Sequence, residues 1–267
     1  MEPRPPSPAI RPLDSPALTR QAVELYRDVF GLAETDPAVS PRLLAALLRN
    51  GGSVLGAFAR PDTGGEERMV GFVYGFLGTA PQTGEVYHYS QMAVVDRRWQ
   101  GRGIGRALKL GQRAYVLETG VTRMRWAYDP LRTANGHFNL DVLGTQGRWF
   151  VESLYGVDDM GRDLGLRSDR LIVEWDLTRC PEDTVRRARP EPRRPLQWGQ
   201  SETGETGQVL LAVPRDWDGL VRADRDRAVS VRDQVCDRLA ELVHGGHAAV
   251  SCQSLGTDTA VYLLAPE

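Results

Sequence analysis

The hydrophobic positions of this chain switch repeatedly between the 3.6-residue period of helices and the apolar runs of strands. Four segments of the first 180 residues carry the helical pattern: 15–31, 40–48, 104–118 and 134–143. Seven shorter runs are bounded by Gly, Pro, Asp or Thr, as strands are: 9–13, 53–58, 69–77, 85–95, 123–128, 149–154 and 169–177. This order of elements predicts an α/β domain over residues 1–180, built on one mixed, mostly antiparallel sheet flanked by helices.

The last third of the chain has a different organisation. Residues 181–206 are charged, rich in proline and short of apolar side chains, which predicts a linker. The remaining 207–267 show a compact β-α-β-β pattern, a small α/β domain of a size that is marginal for a free-standing core. We therefore expect this segment to pack on the first domain or on a partner subunit, the latter in a homodimer, and we assign it no catalysis.

Composition narrows the class of protein. The 33 basic and 35 acidic residues give a net charge of −2, which argues against a nucleic-acid partner. No apolar run approaches the 18 residues of a membrane span, and the N-terminus lacks the apolar core of a secretory signal. Three scattered cysteines, Cys180, Cys236 and Cys252, predict neither a disulfide framework nor a metal site. We expect a cytoplasmic protein.

Charge is unevenly distributed despite this balance. Lys109 is the only lysine among the basic residues, which is typical of a GC-rich bacterial genome. Residues 96–125 hold eight basic side chains against two acidic ones. Such a surplus indicates either a small anionic ligand or a solvated helix face.

The most informative stretch is 93–106, AVVDRRWQGRGIGR. A strand rich in β-branched residues runs into a glycine-rich turn, which opens directly into a helix. Unpaired N–H groups and the helix dipole favour an anion at such a point, and Gly101, Gly103 and Gly105 let the backbone approach it closely. The spacing fits neither the dinucleotide-binding fingerprint nor a P-loop. The stretch predicts a phosphate-binding turn.

These residues resemble the GNAT superfamily of acyl-CoA-dependent N-acyltransferases. The run from Gln100 to Gly105 matches the superfamily's Q/R-x-x-G-x-G/A signature, and Ala93-Val94-Val95 stands where its members read Leu-x-Val. The resemblance covers roughly residues 9–177. Residues 128–130, 139, 143–144 and 168–175 are similar to a branch of predicted acetyltransferases whose substrates are largely unassigned. In this light residues 207–267 are a degenerate partial repeat of the first domain or a segment that completes a sheet.

The resemblance implies roles for these residues. Acetyl-CoA or another acyl-CoA, such as succinyl-CoA, is the co-substrate, and no metal takes part. Main-chain groups of Ala93, Val94 and Val95 pair with the pantetheine arm, and one N–H there polarises the thioester carbonyl. The turn binds the pyrophosphate with residues Gln100, Gly101, Arg102, Gly103, Ile104, Gly105 and Arg106. Arg97 and Arg98 are further candidates for phosphate contacts.

The acid and base of the reaction are less well defined by the sequence. Leu140 occupies the position where many superfamily members carry a tyrosine that protonates the leaving thiolate. Tyr128, Asn139 or a water could act as the general acid instead, or the thiolate leaves without one. The resemblance also implies that Asn139 binds the cofactor. For the general base the candidates are Glu85 and His88. Glu85 could equally be a solvated strand end, and His88 a hydrogen-bonded structural histidine.

The acceptor is expected to be a small amine, such as an amino acid. Four arginines in or beside the connection 155–168 would suit a carboxylate, unless they form surface salt bridges: Arg148, Arg162, Arg167 and Arg170. Two other readings stay open. One is an acyl-CoA-binding sensor or scaffold without turnover, and the other is a protein N-acetyltransferase.

Overall fold

The fold was analysed in a computed structural model that describes residues 8–61, 64–157, 165–179 and 191–267. Its tertiary contacts divide the chain into two compact units, Met1–Arg125 and Trp126–Glu267. Each unit combines a β-sheet with helices and is described by itself.

The first unit carries the glycine-rich turn. Its elements in chain order are β1 (Ala9–Pro12), α1 (Pro16–Phe30), α2 (Pro41–Arg49), β2 (Ser53–Ala59), β3 (Arg68–Thr79), β4 (Val86–Val95), a 3-10 helix (Arg97–Trp99), α3 (Ile104–Glu118) and the first half of β5 (Arg123–Tyr128). Ser15 and Ser40 cap the first two helices by accepting the N–H groups of Leu18 and Arg42, and each is followed by a proline.

Strands β1 to β4 are antiparallel neighbours in sequence order. The pairing of β3 with β4 slips by one residue, because Tyr74 faces Met92 while Gly75 faces Ser90. Gln91 is therefore the extra residue of a β-bulge. On its other side β4 pairs with β5 in parallel, at His88 with Met124 and at Tyr89 with Arg125.

Two apolar clusters enclose this sheet. Leu13, Leu44 and Phe72 belong to one cluster, which α1 and α2 cover, while Leu55 and Leu108 belong to the cluster under α3. A sheet with both faces covered buries nearly all of its central strands, and every residue of β2 is buried.

The second unit contains the remaining strands and helices. They are α4 (Thr133–His137), which continues into a π-helical turn (Phe138–Val142), then β6 (Gln146–Val151), β7 (Arg170–Asp176), β8 (Ser201–Thr203), β9 (Val209–Pro214), α5 (Trp217–Ala223), α6 (Arg225–His244), β10 (His247–Leu255) and β11 (Thr259–Pro266). The strand order is β7-β6-β10-β11-β9-β8, with antiparallel neighbours throughout. Among the described residues, no helix is both long and apolar enough to cross a membrane.

The predicted fold class, helices flanking a mixed and mostly antiparallel sheet, is confirmed. Three elements differ from expectation. Strand β6 begins three residues earlier than predicted, and Leu171 and Ala249 pack against the backbone of Gly147 within it. Strand β8, within the predicted linker, is a short polar edge strand without a hydrophobic signal. Helix α5, which Asp216 caps, precedes the single helix predicted for this part of the chain and was missed.

The predicted domain boundaries at residues 180 and 207 concern independent folding and stay a prediction. Part of the predicted linker, together with Cys180, lies outside the described residues. Cys236 and Cys252 are buried free thiols.

Gly75 should be irreplaceable in β3. A Cβ atom there would lie 2.5 Å from Nε2 of His88 and closer still to the carbonyl oxygen of Tyr89. We expect Gly75→Ala to lower the free energy of unfolding by about 3 kcal/mol in urea denaturation, since a backbone atom blocks the methyl group. Gly204→Ala is the control, because its Cβ would meet nothing closer than 3.6 Å. Equal stability of the two variants would contradict the packing around Gly75.

Candidate functional site

The turn between β4 and α3 is held by local hydrogen bonds. The Asp96 carboxylate accepts the backbone N–H of Arg98, and the side-chain amide of Gln100 donates to the carbonyl of Val95. Gly101 and Gly103 then adopt φ angles of +75° and +80°, in the left-handed region that favours glycine. Other residues adopt this backbone only with strain, which is a reason for glycine at both positions besides the predicted close approach to an anion.

Helix α3 begins without a side-chain cap. Gly103 is its N-cap residue and has no side chain to accept a hydrogen bond from the first turn, where N–H groups have no partner within the helix. A Cβ atom added at Gly101 or Gly103 would meet no atom within 4 Å, so the space above the turn is open. Open space, uncapped N–H groups and the positive end of the helix dipole together make a site for an anion.

Two of the four arginines predicted to contact phosphate are held by the protein itself. Arg97 donates to the carbonyl of Val29 at 2.9 Å. Arg98 donates to both carboxylate oxygens of Asp96, at 3.1 and 2.8 Å, and this hydrogen bonding lowers the pKa of Asp96. These contacts favour a local structural role for Arg97 and Arg98.

The other two arginines border the turn directly. The Arg102 guanidinium lies over the Trp99 ring, 5.1 Å from its centroid, at an exposed position between the two left-handed glycines. Arg106 is half-buried on the first turn of α3. A phosphate contact from either side chain stays a prediction.

Strand β4 offers a backbone edge beside this turn. Ala93, Val94 and Val95 pair with β3 on one side, whereas the described pairing of β4 with β5 is confined to His88 and Tyr89, before the bulge. The edge of residues 93–95 that faces away from β3 therefore lies outside the described pairing of β4 with β5. It is suited to an extended ligand that pairs like a strand.

Glu85 stands immediately before β4. Its side chain is 44% exposed, and its carboxylate accepts a hydrogen bond from Arg125 at 2.9 Å. The Arg125 guanidinium also lies 4.3 Å from the centroid of the Tyr87 ring. Glu85 is therefore an oriented and accessible carboxylate.

His88 has a contrasting environment. It is 1% exposed, and its Nε2 atom lies 2.9 Å from Oγ of Ser53. Burial, with a smaller contribution from the positive charge of Lys109, lowers the pKa of His88 to about 4. A histidine without solvent access that stays neutral at physiological pH is a weak proton acceptor, so these observations favour the structural alternative for His88.

Sequence reasoning missed a buried polar network around this histidine. Lys109 was counted among the eight basic residues expected at an anionic ligand or on a solvated helix face, yet it is buried and donates to Ser90, and burial lowers its pKa well below the ordinary value. The spacing of α3 contains the signal, because Lys109 and Gln112 fall on the same face as the buried Leu108 and Val116.

Two predicted site residues lie in the core of the second unit. The Tyr128 hydroxyl is 3.2 Å from that of Tyr262, which donates to the carbonyl of Pro130, and burial raises the Tyr128 pKa well above its ordinary value. Asn139 is buried and accepts a hydrogen bond from the indole of Trp126. These partners are typical of core side chains, while roles for Tyr128 in catalysis and Asn139 in cofactor binding stay predictions.

Two of the four arginines proposed to bind a carboxylate form ion pairs. Arg148 contacts Glu174 and Glu267, and Arg167 contacts Asp169 and Asp237. Such pairing favours the salt-bridge alternative.

Arg170 lies over the ring of Tyr155, 5.2 Å from its centroid, and Arg162 lies outside the described residues. Within the described parts of the chain, no group of three or more His, Cys, Asp or Glu side chains is placed to hold a metal ion.

No family model and no curated protein matches this chain. Among solved structures, a GNAT superfamily phosphinothricin acetyltransferase from Sinorhizobium meliloti in complex with AcCoA matches at 17% identity and a TM-score of 0.49, covering 64% of this chain and 89% of that one. A ribosomal-protein-alanine N-acetyltransferase from Brucella melitensis matches at 16% identity and a TM-score of 0.49, covering 63% of this chain and 99% of that one. An aminoglycoside acetyltransferase from an uncultured soil metagenomic sample matches at 20% identity and a TM-score of 0.39, covering 48% of this chain and 80% of that one.

All three of these solved structures are acetyltransferases by description. Their TM-scores lie below 0.5 and their identities at or below 20%, so the function proposed below rests on the chain's own residues.

The pKa of His88 makes stability depend on pH. In the unfolded chain His88 takes up a proton near its ordinary pKa of 6.5, whereas in the fold it does so only near 4. The unfolded state therefore binds more protons between these values, and stability falls as pH falls through that window. From pH 7 to pH 5 this histidine should remove about 2 kcal/mol.

Urea denaturation at pH 7, 6 and 5 measures this effect. The difference in stability between His88→Gln and wild type should change in favour of the variant by about 2 kcal/mol across that range. His244→Gln, which alters an exposed histidine, should keep the wild-type dependence. A His88→Gln profile parallel to wild type would contradict the neutral, buried state of His88.

Proposed function

We propose that this chain is an acyl-CoA-dependent N-acyltransferase of the GNAT superfamily, which transfers an acetyl or succinyl group to a small amine. One observation carries the proposal. Directly after the edge of β4 that lies beyond its described pairing with β5, the chain passes through two left-handed glycines into a helix without a side-chain N-terminal cap. An extended arm ending in a pyrophosphate, as in coenzyme A, matches both features in that order.

Binding would use the backbone more than side chains. The N–H groups of Gly103, Ile104 and Gly105 would donate to the pyrophosphate, and Gly101 keeps the approach clear of a Cβ. Arg106 and the neighbouring Arg102 add positive charge at the rim. Main-chain groups of residues 93–95 would pair with the amides of the pantetheine arm, which places the thioester along β4.

The reaction requires attack by a neutral amine. Its nitrogen forms a bond to the thioester carbonyl carbon, an N–H of the β4 edge stabilises the oxyanion, and the C–S bond then breaks. Glu85 is proposed to receive the proton that the attacking nitrogen loses, since its carboxylate is accessible and held by Arg125. The coenzyme A thiolate takes up a proton from water, because a thiol pKa of about 8.5 lets it leave without a general acid.

The acceptor is proposed to be a small amine, and an amino acid is the class to test first. The ion pairs of Arg148 and Arg167 favour the salt-bridge alternative over a carboxylate site, so simple amines belong in the same panel. A homodimer and a cytoplasmic location also stay predictions.

A second candidate function is an acyl-CoA-binding sensor without turnover. It is favoured by the state of two predicted catalytic groups, because His88 and Tyr128 are both buried and hydrogen-bonded to other side chains. Binding is common to both functions, whereas release of free thiol separates them.

Thiol release from acetyl-CoA and succinyl-CoA, with panels of amino acids and simple amines, tests the function. We expect amine-dependent release with one of the donors. Release with Gly103→Ala should fall about tenfold at subsaturating donor, because a methyl group strains the left-handed turn under the pyrophosphate.

Gly120→Ala is the matched control for this variant. Gly120 has the same left-handed conformation (φ +82°) and the same open surroundings, but lies beyond the other end of α3. Equal losses in the two variants would contradict the phosphate role of the turn. Binding of acyl-CoA without release with any amine would favour the sensor.

The role of Glu85 has its own test. Glu85→Gln keeps the shape and a hydrogen-bond acceptor for Arg125 but cannot take a proton, so kcat should fall about 100-fold or more while the Kd for coenzyme A is unchanged. Glu67→Gln, which alters another ion-paired glutamate of the same unit, should retain wild-type kcat. Wild-type turnover by Glu85→Gln would assign the base elsewhere.

A further inference from the structure

A chain of buried hydrogen bonds links three elements of the first unit. Its members are all buried, although every one of them is polar or charged. Grouped by element, they are Lys109 and Gln112 of α3, Ser90 and His88 of β4, and Ser53 of β2.

The distances in this chain are short throughout. Lys109 Nζ donates to Ser90 Oγ at 2.7 Å, and Ser90 donates to Gln112 Oε1 at 2.8 Å. Gln112 Nε2 donates to Ser53 Oγ at 2.8 Å, and Ser53 is 2.9 Å from His88 Nε2. Each hydrogen bond joins residues of two different elements.

Such a network is an unfavourable way to fill a core. Burial lowers the pKa of Lys109 well below its ordinary value, which means that the fold opposes the charge on this side chain. The same layer contains Leu55, Val73 and Leu108, and apolar side chains of similar volume commonly replace buried charges without loss of stability. Stability of the fold therefore does not account for a lysine at this position.

The position of Lys109 suggests another reason. Ser90, its partner, directly precedes the bulge at Gln91, and residues 93–95, whose edge is proposed to bind the pantetheine arm, follow the bulge. Lys109 itself lies five residues into α3, whose first turn faces the open space above Gly103. The contact thus ties together the two elements that carry the two halves of the proposed ligand site.

We propose that Lys109 is a positioning residue for coenzyme A: through Ser90 it fixes the spacing between the first turn of α3 and the edge of β4. The proposal rests on the proposed function, since it assumes that both elements hold one ligand. An apolar side chain at position 109 could fill the same volume but would not fix the register of the helix on the strand, because packing contacts lack the direction of a hydrogen bond.

The test compares Lys109→Met with Ser53→Ala in calorimetric titrations with coenzyme A. Lys109→Met keeps the length of the side chain and removes the contact to Ser90, so the Kd should rise roughly tenfold or more. Ser53→Ala breaks the far end of the same buried network and leaves the link between Lys109 and Ser90, so the Kd should stay within twofold of wild type. Equal affinities of Lys109→Met and wild type would overturn the proposal.

Two further measurements separate positioning from a general structural role. Lys109→Met should be at least as resistant to urea as wild type, and its KM for acetyl-CoA should rise with little change in kcat or in the KM for the amine. A rise in every parameter together with lower stability would overturn the proposal. Should Lys109→Met not fold, Ser90→Ala removes the same contact with a smaller change, and wild-type affinity of that variant would overturn it.

Binding of coenzyme A to the wild-type protein separates a failure of the proposed function from a failure of the positioning role. If it binds no coenzyme A, the proposed function fails, and the positioning role fails with it. If it binds coenzyme A and the Lys109 and Ser90 variants keep full affinity, only the positioning role fails.

Discussion

Strand β4 pairs with β3 along one edge and, in the proposed function, with the pantetheine arm of coenzyme A along part of its other edge. It pairs with β3 over its length, but its described pairing with β5 is confined to His88 and Tyr89, and the extra residue at Gln91 follows directly. A bulge reorients the strand and disrupts the ladder locally. One edge of residues 93–95 therefore lies outside the described pairing with β5, and this is the edge proposed to bind the pantetheine arm. The turn and helix that follow stand at the end of this edge. The proposed binding of coenzyme A depends on this break in pairing.

Two titratable residues of the same region, Glu85 just before β4 and His88 within it, have opposite surroundings. Glu85, at the start of β4, is accessible and ion-paired, whereas His88, three residues on, is buried and held neutral. Both residue types can act as bases, and the surroundings decide which of them is able to exchange protons with a ligand. The buried network beneath β4 belongs to the second kind of environment, where polar groups fix geometry.

The sequence allowed the first unit to be predicted in detail because its signals are local. The predicted bounds of α3 match the structure, since glycines stand at both of its ends and its apolar face is regular. The glycine-rich turn between β4 and α3 was predicted for the same reason, because its glycines are local features of the sequence, whereas the left-handed backbone of Gly101 and Gly103 is a finding of the structure. The functional roles assigned to these residues remain proposals.

Features that depend on tertiary partners could not be predicted. A bulge such as that at Gln91 appears only when two strands are paired, because one strand read alone keeps its alternation. The charge pattern predicted either a ligand contact or a solvated position for the basic residues of 96–125, and the burial of Lys109 fits neither; lysines are rarely buried, and only its place on the apolar face of α3 indicates it. In the second unit, Gly147 lies inside β6 and Gly219 inside α5, where close packing and a capped helix accommodate them, and neither position was included in a predicted strand or helix.

Amide chemical-shift mapping of the ¹⁵N-labelled protein during titration with coenzyme A tests the central claim most directly, because it reports on the backbone groups themselves. The account predicts saturable shifts that are largest at Gly101, Gly103, Ile104 and Gly105, with a second group at Ala93–Val95. Saturable shifts confined to other parts of the chain, or no shifts at millimolar coenzyme A, would contradict it.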